Sequence, residues 1–265
     1  MKKLAMIGFG SIGRYVAGEI AVEERLQLTS LVVRPERIGT RMAGLKKETK
    51  RVSSIVDLED RPDLFIDCAG HEGLRQHGAA VLALGIDLVT VSVGALADEE
   101  LYTQLMEAAQ TSGAQLHLVS GAIGALDALS AARVGGLEKV VYKGRKPPLS
   151  WAGSAAEQVL DLEALTDENT HFSGTAREAA LRYPKNANVA AAVALAGCGL
   201  DATRVELIAD PHVSSNIHEI AAEGAFGRFY FKIEGNALPN NPKSSALTAM
   251  SVVRSVLNLE QSIVI

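Results

Sequence analysis

Leu4-Ala5-Met6-Ile7-Gly8-Phe9-Gly10-Ser11-Ile12-Gly13, close to the start of the chain, decides the reading of everything after it. A short apolar run enters a glycine-rich turn that opens directly into a helical pattern, the context that separates a dinucleotide-binding turn from a glycine-containing loop. In that reading Gly8 permits the tight turn, Gly10 lets the backbone approach a pyrophosphate, and Gly13 lets the helix pack closely on the strand. Amides at the helix N-terminus, around Ser11 and Ile12, bind the negative charge. The plainer alternative is an ordinary βα turn that happens to be rich in glycine.

Working outward, the chain up to about Val119 alternates apolar runs with helical segments, the βαβ rhythm of a parallel sheet. Strands are expected at Leu4–Ile7, Leu28–Val33, Leu64–Cys68, Asp87–Val91 and Gln115–Val119, with a weaker one near Val52. Asp98, Glu99 and Glu100 suit a helix start and Gly113 its end. The second strand closes on Leu31-Val32-Val33-Arg34, with no acid to hold the adenosine ribose. Arg34, with Arg37 nearby, instead suits a 2′-phosphate or stacking on adenine, so NADP is accepted alongside NAD. Arg34 as a merely solvated loop cation stays open. Small residues at three further strand ends, Cys68–His71, Ser92–Ala95 and Ser120–Gly124, lie where a doubly wound sheet binds its ligand, with Ala122 expected near the nicotinamide.

Composition narrows the classes. Of 265 residues 48% are hydrophobic, so a buried core is available, and 26 basic against 31 acidic residues without any charged block argue against a nucleic-acid or anionic-membrane binder. Two cysteines, Cys68 and Cys198, make neither a disulfide framework nor a cysteine-rich metal site, and fit a reducing cytoplasm. The apolar start is interrupted by Gly8, Gly10, Gly13 and Arg14, unlike a secretory signal, and Val189–Leu200 is short of the roughly 20 apolar residues of a membrane span. No metal-ligand spacing emerges among the six histidines.

After Ser120 the pattern changes. Phe229, Phe231 and Ile233 alternate with Arg228, Tyr230 and Lys232, as in a sheet covered on one side, and its apolar face is also expected to serve a homodimer. Thr175 and Glu178 have capping-box spacing, Pro184 ends the short helix, Asn188 caps the alanine-rich helix after it, and Ser244 or Ser245 caps a final helix to about Leu257. The expected organisation is a Rossmann-type, doubly wound α/β domain over 1–119, a second α+β catalytic and dimerisation domain over 120–243, and a final helix, 244–265, packing back on the first. The nicotinamide is expected at the cleft between the two.

Five stretches together resemble the L-aspartate dehydrogenase family: GFGSIG at Gly8–Gly13, SGAIGALDAL from Ser120, KNANVAA from Lys185, NIH at Asn216–His218 and the segment from Asn241. The first is common to many dehydrogenases, and the other four are more specific. The resemblance implies oxidation of L-aspartate with NAD or NADP to iminoaspartate, which hydrolyses to oxaloacetate and ammonia, and a role in making NAD. It implies that His218 is catalytic and that Ala122 and Asn188 contact the cofactor. A histidine suits both amine deprotonation and water activation, since its proton exchange lies near neutrality. His71, His77, His117, His171 and His212 lack such motif support. For the substrate's carboxylates Lys185 is the first candidate, followed by Arg145, Arg177 and Lys243. Two alternatives stay open: a reductase built like dihydrodipicolinate reductase, of whose signature only His171–Thr175 is a faint echo, and a dinucleotide sensor without catalysis.

Overall fold

The computed structural model describes residues 1–239 and 241–264, and the backbone alone for Pro242 and Lys243. The chain divides into two compact units, Met1–Ser92 with Glu99–Val119 and the residues from Thr248 onward, and Val93–Asp98 with Ser120–Leu247.

In the first unit, strands β1 (Lys2–Ile7), β2 (Leu26–Val32), β3 (Lys50–Val52), β4 (Leu64–Asp67), β5 (Asp87–Thr90) and β6 (Leu116–Leu118) form a parallel sheet in the order β3-β2-β1-β4-β5-β6. This is the doubly wound order, whose reversal point lies between β1 and β4. Leu4–Ile7 and all of β4 are buried, which is why these strands read as unbroken apolar runs. Helices α1 (Ser11–Ile20), α2 (His71–Ala83) and α3 (Glu99–Ser112) provide the crossovers. Glu99 and Glu100 occupy the first turn of α3, and Gly113, with a φ of +77°, follows its last residue. Val252 and Val256 of the last helix, α7 (Ala246–Leu257), share a core with Leu4, Met6, Val16, Ile20, Leu31 and Ile66.

In the second unit, β7 (Leu137–Lys146), β8 (Asn169–Thr175), β9 (Arg204–Ala209), β10 (Asn216–Gly224) and β11 (Gly227–Gly235) make a mixed sheet ordered β11-β10-β7-β9-β8. A small hairpin, β12 (Ala237–Leu238) and β13 (Asn241–Ser245), follows. Helices α4 (Leu126–Gly135), α5 (Ala176–Arg182) and α6 (Asn188–Ala196) pack on one face of the sheet. Thr175 and Glu178 form the expected capping box, each side chain accepting from the other's backbone N–H.

Four expectations need correction. Asn188 does not cap α6: Ala187 is the cap residue, and the Asn188 side chain turns away to accept a hydrogen bond from Gly94 N–H at 2.8 Å. The last helix starts at Ala246, which puts Ser245 at the cap position, but the Ser245 hydroxyl is buried without a hydrogen-bond partner among the described residues and so does not cap it. Residues 93–98 cluster with the second unit, where Val93 and Ala97 join the core and Ala97 C=O accepts from Arg177. The apolar sheet face carrying Phe229, Phe231 and Ile233 packs against that same core and is not an open surface. The opposite face presents Lys139, Lys143, Glu206, Glu223, Arg228 and Tyr230.

Candidate active site

The first unit carries a cleft of about 510 Å³ at the carboxyl ends of β1, β2 and β4, with Gly8, Gly10, Arg34, Arg37, Ala69 and Glu72 in its lining. Its shape follows from its glycines. Gly8 has a φ of +84°, and a Cβ there would stand 2.7 Å from Ala69 Cα, so only glycine allows the β1 and β4 loops to meet. A Cβ on Gly13 would lie 2.7 Å from Gly8 carbonyl oxygen and 3.2 Å from Met6 Sδ, which fits its role in seating α1 on the strand. At Gly10 an added Cβ would meet nothing within 4 Å, leaving open backbone at the N-terminus of α1. These features suit a dinucleotide pyrophosphate. The Ile12 side chain packs into the core, so what it offers a ligand is its backbone amide. Arg34 is 77% exposed and 3.4 Å from Glu36.

Asp67 ties the carboxyl ends of β4 and β5 together. Its carboxylate accepts from Thr90 Oγ1 at 2.6 Å, Ser92 Oγ at 2.7 Å and Ala69 N–H at 2.9 Å. Burial pushes the Asp67 carboxyl up and the three hydrogen bonds pull it back.

The second unit carries a buried polar cluster whose assembly follows from strand register. His218 on β10 stands opposite Gly144 on β7, and Tyr142 and Lys146, two residues to either side, share that face because side chains alternate along a strand. Gly144 makes the arrangement possible, since a Cβ there would lie 2.8 Å from the Tyr142 hydroxyl. That hydroxyl reaches His218 Nδ1 at 2.7 Å, with the two rings nearly parallel. Tyr142 is fully buried and His218 is 3% exposed. Burial, followed by the neighbouring Lys146 charge, lowers His218 to about 3, so its imidazole is neutral at physiological pH. The pair has two forms: a Tyr142 hydroxyl that donates to Nδ1 leaves the His218 proton on Nε2, and one that accepts from Nδ1–H leaves Nε2 a lone pair.

Lys146 is buried as well. Its Nζ donates to Asn186 Oδ1 at 3.0 Å and lies 4.8 Å from the centre of the Trp151 ring. Burial lowers its ammonium to about 8. His171, also buried, packs edge-on to Trp151 and has Nδ1 3.2 Å from Tyr183 Oη. Burial lowers His171 to about 4, with Arg182 and Lys146 adding to it.

The geometry sorts the candidates from the sequence. Gly8, Gly10 and Arg34 line the cleft, and Ser11, Ile12 and Gly13 follow in the first turn of α1. His218 sits in the polar cluster, and Ala122 is 5% exposed within the second unit's core, next to Gly121 at a φ of +68°. Asn188 Oδ1 accepts from Gly94 N–H. Lys185 is exposed in the turn before α6, and its neighbour Asn186 is the residue that meets a buried cation. Arg145 is ion-paired with Asp210 at 2.5 Å and with Glu168, and Arg177 with Asp201, so both charges are already matched. The Lys243 side chain lies outside the described residues. Tyr142, Lys146 and His171 were not singled out by sequence, because no motif marks them and strand pairing alone joins them.

Comparison with known proteins agrees with both halves. The homoserine dehydrogenase NAD binding domain matches residues 8–119, and the aspartate dehydrogenase C-terminal domain matches residues 127–259. The L-aspartate dehydrogenase of Ruegeria pomeroyi is 57% identical over 96% of this chain and 91% of its own, and that of Pseudomonas aeruginosa 48% identical over 97% of each. The crystal structure of aspartate dehydrogenase from Thermotoga maritima superposes with a TM-score of 0.76 at 26% identity, covering 100% of this chain and 99% of the other. With its glycine turn, its doubly wound sheet and its buried histidine on a mixed sheet, this chain belongs to the aspartate dehydrogenase family.

Proposed function

We propose that the protein oxidises L-aspartate, with NAD or NADP, to iminoaspartate, which takes up water and breaks down to oxaloacetate and ammonia. Bound NAD or NADP supplies the hydride acceptor. Gly8, Gly10, Gly13 and the amides of Ser11 and Ile12 hold the pyrophosphate, and Arg34 offers its charge to the adenosine end. Ala122 and Asn188 are cofactor contacts in the same proposal.

The observation that carries the chemistry is the buried His218–Tyr142 pair. An α-amino group must lose its proton before its carbon can be oxidised, and the imine must then receive an activated water. A neutral histidine serves both needs at one atom. With the Tyr142 hydroxyl accepting from His218 Nδ1–H, Nε2 presents a lone pair. Nε2 takes a proton from the substrate ammonium, passes it to solvent once the imine has formed, and then takes a second from the attacking water. Tyr142 is the positioning residue, holding the ring and setting its tautomer.

Iminoaspartate is also the compound that quinolinate synthase uses, so a place in NAD biosynthesis is part of the proposal, as is a cytoplasmic setting. We further propose a homodimer, for which the outward sheet face offers a groove of about 610 Å³ around Val141, Ala221 and the 62% exposed Tyr230. The reaction is tested with purified protein, each cofactor and a panel of L-aspartate, D-aspartate, L-glutamate and L-alanine, followed by oxaloacetate and ammonia in reverse. Cofactor reduction with L-aspartate alone among the four is the expected result. Silence in both directions, with cofactor still bound, would favour a sensor or a different reductase.

A further inference from the structure

Lys146 is a cation in the wrong place for a structural lysine. It is 8% exposed, and its partners among the described residues are an amide oxygen, Asn186 Oδ1, and the face of Trp151; no carboxylate is paired with it. Buried ammonium groups are ordinarily matched by an anion, because leaving water without one is costly. Arg145, by contrast, is matched by Asp210 and Glu168, Arg177 by Asp201 and Lys143 by Glu206.

A second, independent observation points the same way. His171 Nε2 is buried with no hydrogen-bond partner among the described residues, while the other ring nitrogen meets Tyr183. If the Tyr183 hydroxyl donates to Nδ1, Nε2 carries the hydrogen and is an unanswered donor. The Lys146 charge is felt at both His171 and His218, which puts the three groups in one electrostatic neighbourhood.

We infer that Lys146 binds a carboxylate of the dicarboxylate substrate, with His171 Nε2 as a second donor to the same group, and that this pair, not Lys185, selects for two carboxylates. The inference rests on the proposed oxidation of aspartate. A carboxylate accepts charge-assisted hydrogen bonds from an ammonium and a ring N–H together, and a bidentate demand of this kind rejects analogues that lack the group. It has a consequence for His218 as well. A bound anion cancels the Lys146 charge that disfavours protonation of His218, so the base becomes stronger when the substrate is in place.

The test uses Lys146→Met, which keeps length and removes charge, Lys146→Arg, and His171→Gln. Succinate, a dicarboxylate without an amine, is the binding probe, read as protection against thermal unfolding. Lys146→Met should lose succinate protection and raise KM for L-aspartate at least 100-fold, while its own melting temperature is unchanged or higher because a lone buried charge is gone. Lys146→Arg should recover part of the binding, and His171→Gln should weaken it about tenfold. Wild-type succinate protection in Lys146→Met would overturn the inference, and so would a melting temperature lowered by many degrees, which would make the lysine structural. If wild-type protein binds succinate through Lys146 yet does not oxidise aspartate, the dicarboxylate site stands and the proposed reaction falls; if wild-type protein does not bind succinate, the site itself is wrong.

Discussion

Desolvation costs an imidazolium far more than an imidazole, and His218 is neutral for that reason before any chemistry is considered. Its usefulness then depends on which nitrogen holds the proton, and Tyr142 decides that. His218→Ala should lower turnover by about 10²- to 10⁴-fold with cofactor affinity nearly unchanged, since a positioned acid–base group contributes on that scale. Tyr142→Phe keeps the ring and removes the hydroxyl that meets Nδ1, so kcat should fall by about tenfold, equivalent to about 1.4 kcal/mol, with KM for aspartate little changed. Steady-state kinetics on both variants checks this, and wild-type turnover in a folded His218→Ala would remove the histidine from the mechanism. At this scale the sequence was informative where a motif exists, as at the Gly8–Gly13 turn. It was silent on Tyr142, Lys146 and His171, whose association is a matter of which strand pairs with which.

The parallel sheet of the first unit was legible because strands covered on both faces are apolar throughout, and β1, β2, β4 and β5 appear within two residues or so of their expected limits. The second unit was less so. β7, with Lys139, Tyr142, Lys143, Arg145 and Lys146 among its ten residues, has charges on both faces, and the buried Lys146 defeats any alternation rule. Asn188 misled for a related reason: the residue type that caps helices is also the one that reaches for a distant backbone N–H. The glycine turn allows a prediction at this scale that separates folding from binding. Gly8→Ala meets both a left-handed φ and the Ala69 backbone, and should cost about 2 kcal/mol or more of stability as well as cofactor affinity. Gly10→Ala adds a methyl group to open space, so its melting temperature should match wild type while affinity for NAD and NADP falls. Equal stability in the two variants would contradict the assigned roles.

For the molecule as a whole, buried histidines, His218 and His171 foremost and His77 shifted in the same direction by burial, shape the response to acid. His218 and His171 are lowered from 6.5 to about 3 and about 4, chiefly by burial. The unfolded chain takes a proton on each near pH 6.5 and the folded chain does not until far lower, so below pH 6.5 the unfolded state binds more protons and stability falls as the pH is lowered. Each histidine contributes a slope of about 1.4 kcal/mol per pH unit across that window. Chemical unfolding between pH 7 and pH 5 should show it, and His171→Gln should reduce the slope by about one histidine's share; an unaltered slope would mean that His171 is not held neutral. Two compact units, one with a nucleotide cleft and one with an acid–base pair and a buried lysine, are the parts an amino-acid dehydrogenase needs. The measurement that tests this most directly supplies L-aspartate deuterated at its α-carbon together with NAD or NADP, and analyses the reduced cofactor by mass spectrometry. One deuterium per reduced nicotinamide, with oxaloacetate and ammonia formed in equal amount, is the expected result. Reduction without deuterium, or no reduction with L-aspartate by a protein that binds the cofactor, would contradict it.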